Sequence, residues 1–78
     1  MITKEMKIFR DRFRNLVKEL GVHWIKCPKI MGITKATFLG SYELGIIPCT
    51  KALKRIANFF GVSISYLLGL SNVKENNK

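Results

Sequence analysis

The side chains with the most chemical reach in this sequence are lysines and threonines. Lys26, Lys29, Lys35 and Lys51 can donate charged hydrogen bonds, while Thr34, Thr37 and Thr50 can donate or accept neutral ones. Such groups hold phosphates and touch the edges of bases, and they do not by themselves make or break covalent bonds. Groups for covalent chemistry are scarce. The chain has one histidine, His23, and five acidic residues, and no nucleophile stands beside a base at a recognisable spacing. The expectation is therefore a protein that is not an enzyme and uses no cofactor. Cys27 and Cys49 lie far apart without a C-x-x-C spacing, so no metal site is expected and both should be free, half-buried thiols.

The charge balance points the same way. Fourteen Lys and Arg against five Asp and Glu give a net charge of +9, which suits a polyanionic partner, nucleic acid first. The plainer alternative is a soluble basic surface with no target. A membrane partner is not expected, because no segment joins a basic face to a broad exposed apolar one. Nor does any apolar run approach the roughly 18 residues that span a bilayer. The opening residues, Met1 to Lys7, carry charges where a signal peptide has its apolar region, so a cytoplasmic location is expected. A 47% hydrophobic content over 78 residues is ample for one domain with one small core.

Lys35 must be presented by a short helix entered through a tight turn. In Met31-Gly32-Ile33-Thr34 the glycine permits the turn, the isoleucine packs beneath it and the threonine is placed to cap the next helix. That third helix should run from about Thr34 to Glu43, with Gly40 as a weak point inside it. Ahead of it, Phe9, Phe13, Leu16, Val17 and Leu20 recur at helical spacing and Gly21 stops the run, giving a first helix with Arg10, Arg12, Arg14 and Lys18 on its back. Any one of those four cations reads as part of a solvated face. In the second element Pro28 interrupts Val22, Trp24, Ile25, Cys27, Ile30 and Met31. Either the helix bends there, or it begins at Pro28 with Cys27 as a makeshift cap. After Pro48, Cys49 or Thr50 starts a fourth helix with Leu53, Ile56, Ala57 and Phe60 on one face, and Gly61 ends it. Ser63 caps a fifth, in which Ile64, Leu67 and Leu68 pack inward and Gly69 closes. Nothing reads as a strand, and the class is all-α.

Five short helices in this order, with "PCTKALKRIANFFGVSISYLLGL" covering the last two, resemble the Cro/CI-type (Xre-like) helix-turn-helix family of phage and bacterial repressors. The resemblance covers roughly residues 9 to 70. It implies a compact five-helix lambda-repressor-like DNA-binding domain over residues 1–70; residues 71–78 are polar and are expected to form a frayed tail. The departures fall at the functional end: Trp24 stands where the family usually has glutamine, and Pro28 where it favours alanine. A family arginine and glutamate that often pair are replaced, in an ungapped register, by Val17 and Tyr42. Losing both members of a buried pair can be nearly neutral, whereas losing one is not. A rival register, aligning Tyr42-Glu43-x-Gly45 with the family's aromatic-Glu-x-Gly, needs an insertion and a compensating deletion.

In either register Phe38 faces the core while Thr34, Lys35, Ala36, Thr37 and Leu39 face outward. The resemblance implies that these read double-stranded DNA, with Lys26, Lys29, Thr50 and Lys51 on its backbone, and that the protein acts as a dimeric transcriptional regulator. Lys35 suits guanine or phosphate, and Ala36, Leu39 and the threonine methyls suit the methyl of thymine. Packing against a dimer mate or the core is an equal expectation for Leu39. Leu44, Ile46 and Ile47 form an apolar group where relatives are polar or basic, and such a group marks a protein interface. It leaves open a second reading, a module of the same fold that binds and modulates another regulatory protein.

Overall fold

The computed structural model describes residues 2–73, and among them are five α-helices, one π-helical turn and no strand. Helix α1 spans Lys4–Leu20 and opens where the Thr3 hydroxyl accepts from the Met6 backbone N–H at 3.1 Å. Its spacing puts Phe9, Phe13, Leu16 and Val17 on one buried stripe. Helix α2 spans Cys27–Met31, α3 Lys35–Leu39, α4 Thr50–Phe60 and α5 Ile64–Leu67. Thr34 caps α3 and Ser63 caps α5, each hydroxyl accepting from the N–H three residues on. Phe9, Phe13, Phe38, Ile56 and Leu67 have no solvent exposure and are the centre of a core to which every helix contributes.

The second helix follows neither of its two expected courses completely. It starts one residue before Pro28, so the proline falls in the first turn, where a missing N–H removes no helical bond. Cys27 is inside the helix and fully buried rather than capping it; Lys26 is the cap residue and its side chain makes no capping bond. Only Cys27, Pro28 and Met31 are buried, which leaves Trp24, Ile25 and Ile30 exposed.

The third helix is also shorter than expected. It ends at Leu39, and Gly40–Leu44 form a π-helical turn in which the Gly45 N–H reaches back to the Gly40 carbonyl. The widening coincides with the glycine, whose missing side chain removes contacts that would hold the tighter helix. The Ile46 N–H also donates to the Gly40 carbonyl, at 3.1 Å, and the buried Ser41 hydroxyl donates to the Ile46 carbonyl at 2.8 Å. Because of these bonds the chain after the turn folds back over it instead of leaving it.

Two arginines of α1 are half-buried and bonded to other parts of the chain rather than free on a solvated face. Arg14 donates to the Tyr42 carbonyl at 2.6 Å and to the Glu43 carbonyl at 3.4 Å, with its guanidinium 5.2 Å from the centre of the Tyr42 ring. Arg12 donates to the Tyr66 carbonyl at 2.5 Å, to the Ser71 carbonyl at 2.8 Å and to Asn72 Oδ1 at 3.1 Å. The Ser63 hydroxyl donates to the Val73 carbonyl at 3.3 Å. The first three residues of the tail expected to fray are thus bonded to the body, and residues 74–78 lie outside the described residues.

Gly45 closes the π turn at φ +74°, and its backbone lies so near α1 that a Cβ there would overlap the Met6 carbonyl. Gly21 has a similar φ of +72° with open space around it. Gly21→Ala should therefore cost only the roughly 1–2 kcal/mol of a left-handed L-residue, and Gly45→Ala clearly more. Urea unfolding of the two variants side by side checks the order. Equal losses would mean that the loop moves off α1 freely.

Candidate nucleic-acid interface

The exposed surface around α3 is set by its cap. The Thr34 hydroxyl accepts from the Thr37 N–H at 3.1 Å and shares a 2.8 Å hydrogen bond with the Thr37 hydroxyl. This pairing fixes both side chains and leaves one O–H donor between them. Lys35 and Ala36 follow directly and are exposed, while Thr37 is half-buried. One turn further on, Phe38 is fully buried, so the helix has a core side and an open side as expected.

The open side is brought against α4. Thr34, Thr37, Cys49, Lys51, Ala52 and Arg55, with Gly32 and Ile33, line a cleft of about 480 Å³. Below it, Ala36, Thr37, Gly40 and Ile46 meet Pro48, Cys49 and Ala52 around a smaller one of about 150 Å³. Lys26, Lys29, Lys35 and Thr50 are exposed but line neither cleft. Leu39 departs from the outward-facing group. It is half-buried and packed against the core, and it borders a different cleft with Trp24, Tyr42 and Glu43. Its place on the helix does not explain this, since Leu39 lies one turn beyond the exposed Lys35 on the same face; packing against the core covers it.

Arg55 is a cation of this surface that its sequence position left unremarked. It donates to the Gly32 carbonyl at 2.7 Å and so ties α4 to the turn between α2 and α3. The available signal was its spacing of four from Lys51, which places both on one helix face. Carboxylates are missing from the whole region. No Asp or Glu occurs between Glu19 and Glu43, or between Glu43 and Glu75, so Lys26, Lys29, Lys35, Lys51, Lys54 and Arg55 have no acidic neighbour in sequence on α2, α3 or α4. The N-terminus of α4 adds backbone N–H groups, since Cys49 at its cap makes no side-chain bond to them. The arrangement can hold anionic oxygens and touch base edges. Among the described residues no group of three or more His, Cys, Asp or Glu could hold a metal ion.

Leu44, Ile46 and Ile47 are exposed at 52%, 48% and 38%. They flank Gly45, which is pinned to α1, so the apolar loop is presented on a fixed support. No protein-family model, curated protein or solved structure matches the chain.

The two cysteines differ more than their spacing suggested. Cys49 is exposed, whereas Cys27 is fully buried beside the carbonyls of Val22 and His23, and burial pushes its thiol pKa up. Burial disfavours the thiolate, the reactive form. A thiol-labelling time course on the native protein at mildly alkaline pH should therefore show one fast group, Cys49, with Cys27 reacting only on unfolding. Two equally fast groups would contradict the placement of Cys27.

Proposed function

We propose that this chain is a sequence-specific double-stranded DNA-binding regulator of the Cro/CI-like helix-turn-helix type, acting in the cytoplasm as a homodimer. The observation that carries the reading is the exposed first turn of α3, with Lys35 and Ala36, together with an α3–α4 cleft that carries Lys51 and Arg55 in a region without carboxylates. In this reading α2 and α3 are the two helices of the motif and α3 enters the major groove. Lys35 takes a guanine edge or a phosphate, and Ala36 with the threonine methyls meets thymine methyls. Lys26, Lys29, Thr50, Lys51 and Arg55 position the backbone, and two copies span half-sites about one helical turn apart. Leu44, Ile46 and Ile47 are covered by the second copy.

The reading is tested by gel shifts against the DNA flanking the protein's own gene, run at several salt concentrations. Binding to one site far above background is the expected result, and weak sequence-blind binding alone would overturn it. Lys35→Ala should weaken specific binding by roughly 1–3 kcal/mol. An unchanged affinity would mean that α3 is not the reading element.

A second reading has one observation in its favour: three large apolar side chains stand exposed on a fixed loop, and isoleucines gain nothing from a phosphate. On that reading the fold captures another regulatory protein. Changing Ile46 and Ile47 together to serine separates the two. With a homodimer, self-association in the analytical ultracentrifuge falls and DNA affinity falls in step. Burying two isoleucines is worth about 1.5–3 kcal/mol each, enough to make the shift plain. Unchanged self-association with loss of DNA binding alone would put the loop on DNA, and loss only of a partner regulator in a pull-down would favour the second reading.

A further inference from the structure

Sharing no residue with the α3–α4 cleft, α1 and the segment before α2 line an open cleft of about 480 Å³ with Arg14, Asn15, Lys18, His23, Trp24 and Tyr42, and with Val17 and Val22 among the apolar lining. Its volume lies within the range of small-molecule sites. Trp24 and Tyr42 also border the adjoining cleft of about 240 Å³, where Leu39 and Phe38 supply apolar wall. The indole is 41% exposed, stacked on His23 at 5.9 Å between ring centres and 27° between planes. The His23 ring covers only part of the indole, and the remainder is an aromatic surface open to a further stacking partner.

The lining has a sign as well as a shape. Lys18 is exposed at the rim, and Arg14 uses two of its five N–H donors on backbone carbonyls. No carboxylate lines this cleft. Glu43 lines only the adjoining, more apolar one. The arrangement therefore combines a flat apolar surface, two cations beside it and no anion. From this we infer that the Trp24 cleft binds a small planar aromatic molecule carrying an anionic group, the ring against Trp24 and the charge at Lys18 and Arg14. Carboxylate and phosphate share this chemistry, so an aromatic acid and a nucleotide are its two sources. The site is separate from the α3–α4 surface and does not rest on DNA binding.

The chain holds a single tryptophan, so Trp24 itself reports occupancy. Benzoate and adenosine monophosphate are titrated against the full chain, following Trp24 fluorescence and the indole N–H resonance. At least one should give a saturable change. Benzamide, which keeps the ring without the charge, and cyclohexanecarboxylate, which keeps the charge without the ring, should each bind at least roughly tenfold more weakly. Saturation by benzoate alone assigns an aromatic acid, and by the nucleotide alone a phosphate. Lys18→Gln, an exposed change, should weaken the active probe several-fold while leaving the melting temperature unchanged. Trp24→Leu, followed by calorimetry because the reporter is gone, should weaken it by roughly five- to a hundredfold. The inference is overturned if neither probe saturates, if cyclohexanecarboxylate binds as well as benzoate, or if the folded Lys18→Gln protein binds the active probe like the parent. DNA binding can succeed or fail independently of every one of these results.

Discussion

Phe13 holds the ring cluster that fixes where the other elements can sit. Its ring lies 5.8 Å from Phe9 in its own helix, and edge-on to Phe38 of α3 at 5.5 Å, Tyr42 of the π turn at 6.4 Å and Phe60 of α4 at 6.3 Å. Edge-on pairs of this kind favour particular ring angles as well as burial, each worth about 0.5–1.5 kcal/mol beyond the area removed from water. One side chain of α1 thus constrains the tilt of three elements at once. The exposed face of α3 is a consequence: with Phe38 pinned against Phe13, Lys35 and Ala36 have no route inward. A small domain buries a limited fraction of its surface, so a cluster of five rings is a large share of what holds it together.

The cations divide into two populations that composition cannot distinguish. Arg12 and Arg14 lie along aromatic rings and donate to backbone carbonyls of α5 and the π turn. They act as clamps between α1 and the rest of the chain. The lysines of α2, α3 and α4 make no such bonds and stay in water. The net charge of +9 therefore overstates the free cationic surface on α1 and understates how one-sided the remainder is, because the acids before residue 75 are on α1 and at Glu43. A lysine suits the exposed role because its charge is strongly hydrated, and an arginine the clamp because its planar fork meets carbonyls and rings together.

Much of the local structure was legible because it depends on near neighbours. The Thr34 and Ser63 caps, the Gly21 and Gly61 stops and the buried face of α4 each follow from a few adjacent residues, and each is found where the pattern places it. The exposure of Leu44, Ile46 and Ile47 was legible for the same reason, since the loop has no periodicity to bury them. What could not be read depends on distant contacts. The course of the chain at Pro28 turns on whether Cys27 finds a place in the core, and Arg12 meets its partners more than fifty residues away. Leu39 is half-buried beside Trp24 because of packing from other elements, which no local pattern reports. The α3 surface itself was readable as a set of residues, with Arg55 missing from it because its partner is a backbone carbonyl.

The π turn makes the fit between the loop and α1 depend on chain length. It holds one residue more than an α-helical turn would, and each residue added to a helix rotates everything beyond it by about 100° and advances it by about 1.5 Å. Taking out a single residue between Gly40 and Leu44 would restore regular helix, yet it would swing Ile46 off Gly40 and lift Gly45 from the Met6 carbonyl. An inserted residue is thus part of the fit between the loop and α1, and natural variation in this chain's length should be poorly tolerated across those five positions.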